Sequence, residues 1–157
     1  MAETRRLGQG FYWQELKVGS RFQTFRRKVT ETDLVNFIGV TGMLEELFID
    51  PDHNGGAISG RVVPAALTYA LIEGMLFQTM IQGTGLALLE TSMKAQKPVR
   101  VGDVISASVE ITAVKPTSRG NRAVVSSDVT ILNQENDAVL RYEVTRMLAG
   151  DPTASTS

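Results

Sequence analysis

Pro64 to Gln82 reads PAALTYALIEGMLFQTMIQ, and this stretch decides the fold class. Its apolar residues fall on nearly every face of a 3.6-residue helix, the pattern of a buried helix rather than a surface one. Glu73 is the sole charge between Arg61 and Glu90. Pro64 suits the first helical position, where a missing N–H costs nothing. Gly83-Thr84-Gly85 ends the run. Ala65, Ala66, Ala70 and Gly74 are small, so a sheet could lie close against this helix.

Downstream the texture becomes strand-like. Leu86–Gln96, Val104–Val114, Val124–Leu132 and Val139–Met147 are separated by turns at 97–103, 115–120 and 133–137. Upstream, Phe22–Val29 alternates imperfectly and reads as one short exposed strand. Thr30-Glu31-Thr32-Asp33 resembles a capping box. Leu34, Phe37, Ile38 and Thr41 then follow at helical spacing, and Gly42 can stop that helix. Met43–Ile49 could add a helical turn or two, and Asp50–Gly60 is a loop rich in Gly, Asp and Asn. Phe11-Tyr12-Trp13 reads as an apolar staple on the core. One buried helix followed by an antiparallel meander is an α+β domain. We expect a single domain over 11–148, with polar flexible ends at 1–10 and 149–157.

Composition narrows the chemistry. The 157 residues carry 16 Lys+Arg against 17 Asp+Glu, with no Cys and one His, His53. No thiolate, disulfide or Cys-rich zinc site is available, and one histidine excludes a multi-histidine metal site. We therefore expect no metal. A net charge of −1 gives no general basic field for nucleic acid. The longest apolar stretch, Val62–Ile72, is too short to span a bilayer. Met1–Gly10 has no apolar leader core, so a cytoplasmic location is expected.

Several motifs together resemble the MaoC-like acyl dehydratases and (R)-specific enoyl-CoA hydratases. They are Trp13-Gln14-Glu15-Leu16-Lys17-Val18-Gly19, Val29–Phe37, Thr41-Gly42, Gly60-Arg61-Val62-Val63-Pro64, Lys97–Asp103 and Asn133-Gln134. The likeness runs from about Phe11 to Leu148. It implies the hot-dog fold, a long central helix wrapped by a curved antiparallel sheet. It also implies a CoA-thioester substrate, with coenzyme A as part of that substrate and no separate cofactor. A homodimer is expected, since joining sheets edge to edge covers an open edge. A heterodimer with a dyad-bearing paralogue is the alternative.

Hydration of an enoyl thioester needs a base for water, an acid for the α-carbon and donors for the thioester oxygen. In the family an Asp and a His move the protons, in a pattern Thr/Ser-Gly-Asp-x-Asn-Pro-x-His. Laid on this sequence, Thr41-Gly42 matches, but Met43 stands at the Asp position and Phe48 at the His position. Neither transfers protons. Glu45 and Glu46 occupy the same segment and are candidates for acid–base work; otherwise they are solvated acids on a short helix. His53 lies in the following loop, as a nearby replacement or a surface residue. Asp50, Arg61, Pro64, Ala65 and Ala66 are the substrate-binding candidates. The resemblance implies that N–H groups at the start of the long helix are donors to the thioester oxygen, and Arg61, Lys97, Arg100, Arg119 and Arg122 are cations that suit coenzyme A phosphates. Glu73 sits far along the helix and reads as an interface or end-of-helix acid. Three functions follow: a hydratase/dehydratase with a relocated dyad, a non-catalytic thioester binder or inactive heterodimer half, and a hot-dog thioesterase.

Overall fold

The computed structural model describes residues 6–53 and 56–154. The outermost parts of the expected flexible ends, 1–5 and 155–157, lie outside the described residues. The elements are β1 (Arg21–Gln23), β2 (Arg27–Lys28), α1 (Glu31–Thr41), α2 (Glu46–Ile49), α3 (Ala65–Thr79), β3 (Gly85–Ala95), β4 (Val104–Pro116), β5 (Arg122–Leu132) and β6 (Ala138–Ala149). The sheet runs β1-β4-β5-β6-β3, with β2 also on β4, and every pairing is antiparallel. Register shifts interrupt β3, β4 and the β5–β6 pair, and such bulges bend a sheet. α3 lies along the sheet with Leu67, Ile72, Met75 and Leu76 buried, in one core with Ile105, Val109, Ile131 and Leu140. This is the expected hot-dog architecture.

Three local expectations need correcting. Phe22–Val29 is two short strands. Thr24 donates its N–H to the Ala107 carbonyl at 2.9 Å, and its hydroxyl accepts from the Ala107 N–H at 2.8 Å. One residue thus satisfies both Ala107 groups, a side chain replacing a backbone partner, and pairing resumes at Arg27. Pro64 is the residue before the first helical turn, with φ −56° and ψ 140°. Its carbonyl accepts from Leu67 and Thr68. Finally, α3 is buried along one side only: Ala65, Ala70 and Phe77 are exposed in the chain by itself.

Local chemistry explains α1 well. The Thr30 hydroxyl accepts from the Asp33 N–H at 3.1 Å, and Asp33 accepts in return from the Thr30 N–H at 2.9 Å. Gly42 closes the helix at φ 74°, a left-handed conformation that favours glycine. The N-terminal strap is held by its backbone. Gly10 and Phe11 donate to the carbonyls of Gln82 and Met80, both at 2.8 Å. A β-carbon on Gly10 would sit 2.6 Å from Gln82 N and Met80 O, so only glycine permits this approach.

β3 is the outlier. It is exposed along its whole length, pairs with β6 on one side only, and leaves Leu86, Leu88, Leu89 and Met93 about half exposed.

Candidate functional site

A largely apolar cavity of about 310 Å³ lies between α2, the start of α3, the 95–99 segment and the start of β6. Its walls are apolar: Phe48, Val63, Val99, Val139 and Leu140. Among the described residues, no carboxylate and no imidazole lines it. Pro64 and Ala65 form its head. No side chain caps α3, so the Ala65 and Ala66 N–H groups have no intrahelical partner and carry the positive end of the helix dipole.

One polar atom stands out. Thr68 is 2% exposed and lines the cavity, and its hydroxyl has no hydrogen-bond partner. A buried hydroxyl without a partner is costly; Trp13 Nε1 and Thr84 Oγ1 share that state, but only Thr68 belongs to the cavity wall. Reading the sequence did not single out Thr68. The available signal was a single threonine in the first turns of a largely apolar helix.

The sequence candidates are scattered. Phe48 faces the cavity, whereas Met43 is exposed and lies outside its lining. Glu45 and Glu46 are both exposed and neither reaches the lining. The Asp50 side chain accepts from the Asp52 N–H at 2.9 Å, closing a surface turn. His53 is half-buried at the end of that turn, its N–H on the Asp50 carbonyl at 3.2 Å, outside the cavity wall.

Arg61 is engaged rather than free. Its guanidinium reaches Glu31 through Nε at 3.1 Å and Nη2 at 2.5 Å, and Nη1 donates to the Phe48 carbonyl. The hydrogen bond and charge of Arg61 hold the Glu31 carboxyl below its ordinary range. Lys97 lines the cavity but pairs with Asp137 at 2.7 Å. Arg122 pairs with Ala149 at the far end of β6 from Val139. At roughly 3.3 Å per residue that is about 30 Å away, so Arg119 and Arg122 do not serve this cavity within one chain.

Glu73 is neither at a helix end nor on an outer face. It is buried, and Arg146 Nη2 donates to both its oxygens at 2.6 and 2.7 Å. The Tyr142 hydroxyl donates to Oε1 at 2.6 Å. Burial, then the Glu73 charge, pushes the Tyr142 hydroxyl far above the ordinary tyrosine range. Tyr69, one turn before Glu73, meets the Tyr142 ring edge-on at 4.9 Å. Every oxygen of Glu73 is thus occupied, which leaves no lone acid poised as a base. Among the described residues no group of acidic or histidine side chains could hold a metal, and no helix is long and apolar enough to cross a membrane.

Comparison with known proteins agrees with this architecture. Residues 17–142 match the family described as the FAS1-like dehydratase domain region. The chain is 24% identical over 119 residues to a 3-hydroxybutyryl-CoA dehydratase of Methylorubrum extorquens, covering 75% of this chain and 74% of that one. It is also 24% identical over 109 residues to an (R)-specific enoyl-CoA hydratase of Rhodospirillum rubrum, covering 69% and 74%. Among solved structures, the MaoC-like dehydratase of Rhodospirillum rubrum superposes with a TM-score of 0.82 at 22% identity, over 91% of this chain and 99% of that one.

Proposed function

This chain belongs to the FAS1-like dehydratase family of MaoC-like hot-dog proteins, and we propose that it binds an acyl thioester without hydrating it alone. The carrying observation is the cavity itself. It has an apolar wall for an acyl group, a helix start for the thioester oxygen, a Thr68 side chain whose buried hydroxyl reaches the cavity by a change of χ1 rotamer, and neither carboxylate nor imidazole among its described lining residues. Water addition needs a base and an acid within hydrogen-bond reach of the reacting atoms. Met43 and Phe48 stand where the family keeps them.

The second half of the proposal is a partner. β3 offers an unpaired edge, and its last residue, Ala95, begins the Ala95-Gln96-Lys97 wall of the cavity. A second hot-dog chain pairing along β3 would therefore stand beside the cavity mouth. A homodimer would bind thioester without turnover. A mixed dimer would turn over only at a site where the other chain supplies the Asp and His.

Purified protein tests this directly. Calorimetric titration with crotonyl-CoA should show saturable binding, while enoyl absorbance in the same mixture stays constant. Loss of enoyl absorbance with the purified chain alone would overturn the non-catalytic reading. Absence of binding across a panel of acyl-CoAs would overturn the thioester reading. Light scattering during size exclusion reads the dimer.

A further inference from the structure

The segment between α1 and α3 is tethered sparsely. Hydrogen bonds within 43–53 are local: Phe48 and Ile49 donate to Glu45, Asp50 donates to Glu46, and His53 donates to Asp50. Met43 leans on the Thr41 hydroxyl. Among the described residues, the one hydrogen bond tying 43–53 to a more distant part of the chain is Arg61 Nη1 to the Phe48 carbonyl. That carbonyl lies in the last turn of α2, where carbonyls lack intrahelical donors. Phe48 itself lines the cavity, while Glu45, Glu46 and Ile49 around it face outward.

Arg61 is itself firmly placed. Its carbonyl accepts from the Val101 N–H at 2.9 Å, Val63 donates to the Val99 carbonyl at 2.9 Å, and Val62 bridges Arg100. Its side chain is oriented by both oxygens of Glu31 on the first turn of α1. A rigid, planar guanidinium can hold a carboxylate with one edge and a carbonyl with another; an ammonium cannot do both in fixed geometry. The chain from the 99–101 segment through Arg61 to Phe48 therefore fixes the outer wall of the cavity.

We propose that Arg61 is a positioning residue that holds Phe48 over the cavity and so limits the size of the acyl group admitted. This rests on the thioester-binding reading above and adds to it a determinant of selectivity. Arg61 acts through Phe48 and through the backbone it anchors, with Glu31 setting its angle.

Three variants and two measurements test this. Arg61→Met keeps the apolar stem and removes every donor. Arg61→Lys keeps the charge and loses the fork. The paired swap Glu31→Arg with Arg61→Glu restores an ion pair but supplies no donor at position 61 for the Phe48 carbonyl. Hydrogen exchange followed by mass spectrometry should show faster exchange at 46–50 in all three, with the rest of the chain unchanged. Titration with butyryl-CoA and with a bulky branched acyl-CoA should show the wild-type preference between them shrinking about tenfold, the scale of a small change in pocket fit. The swap should recover thermal stability without recovering that preference. Unchanged exchange at 46–50 in Arg61→Met, or a swap that restores the wild-type preference, would overturn the assignment. If the wild type binds no thioester, the functional reading fails, and exchange at 46–50 alone decides whether Arg61 holds Phe48.

Discussion

Thr68→Val separates the two roles of an unpartnered hydroxyl. Valine has the same branched shape, so the side chain keeps its volume and its stiff rotamer, and helix propensity changes by only a few tenths of a kcal/mol. Thr68 is 2% exposed, and the hydroxyl removed is buried and makes no hydrogen bond among the described residues. A buried polar group in that state costs about 1–3 kcal/mol, so Thr68→Val should stabilise the ligand-free protein by about 1 kcal/mol. For a chain of this length that is a rise of about 2–4 °C in melting temperature. Binding should move the other way. One hydrogen bond to a thioester oxygen is worth about 0.5–1.5 kcal/mol net, which weakens acyl-CoA binding about 2–13-fold. Thr68→Ser keeps the donor and should bind as the wild type does, while losing stability with its methyl group. Differential scanning calorimetry and titration with crotonyl-CoA read the two effects on the same samples. A Thr68→Val protein that is less stable than the wild type and binds equally well would refute the reasoning, since the hydroxyl would then have a partner inside the protein.

Other perturbations follow from the same fold. Arg146→Met strands the Glu73 carboxylate beside Tyr142 and should cost about 3–5 kcal/mol in urea unfolding at pH 7; adding Glu73→Leu should recover most of it. The Tyr142 hydroxyl is raised by burial, so above about pH 10 the unfolded chain releases its proton first and stability falls by up to about 1.4 kcal/mol per pH unit. The Tyr142→Phe variant should flatten that alkaline decline in pH-dependent unfolding. Burial raises the Asp33 carboxyl, but the hydrogen bonds from Thr30 and the charge of Arg27 outweigh it, and the net shift is downward. Its stabilisation is thus present above about pH 4 and lost as pH falls further; the deficit of about 1–2 kcal/mol expected for Asp33→Asn at pH 7 should close in acid.

How much of this was written locally differs from element to element. Thr30, Asp33 and Gly42 announce α1 because capping involves residues within one turn of each other. The run 64–82 and the meander after it declare themselves by period. The break at Thr24 is invisible in sequence, because it depends on where Ala107 arrives from 83 positions away. Glu73 shows the same limit. Its isolation in an apolar run marks it as unusual, but Arg146 and Tyr142, which decide its state, come from the last strand. At the site, the motif order names Phe48, Pro64 and Ala65, and all three line the cavity. It could not show that Arg61 turns toward Glu31, nor that Thr68 is buried in the cavity wall, because both depend on tertiary placement.

The uncovered β3 edge has a thermodynamic consequence. On the dimer reading, part of each chain's folding free energy is released only on association, so stability follows mass action. Diluting the protein should then lower its unfolding midpoint, and an excess of a compatible partner should raise it. The effective strength of the fold becomes a property of the population of chains present, and two variants compare fairly only at one concentration.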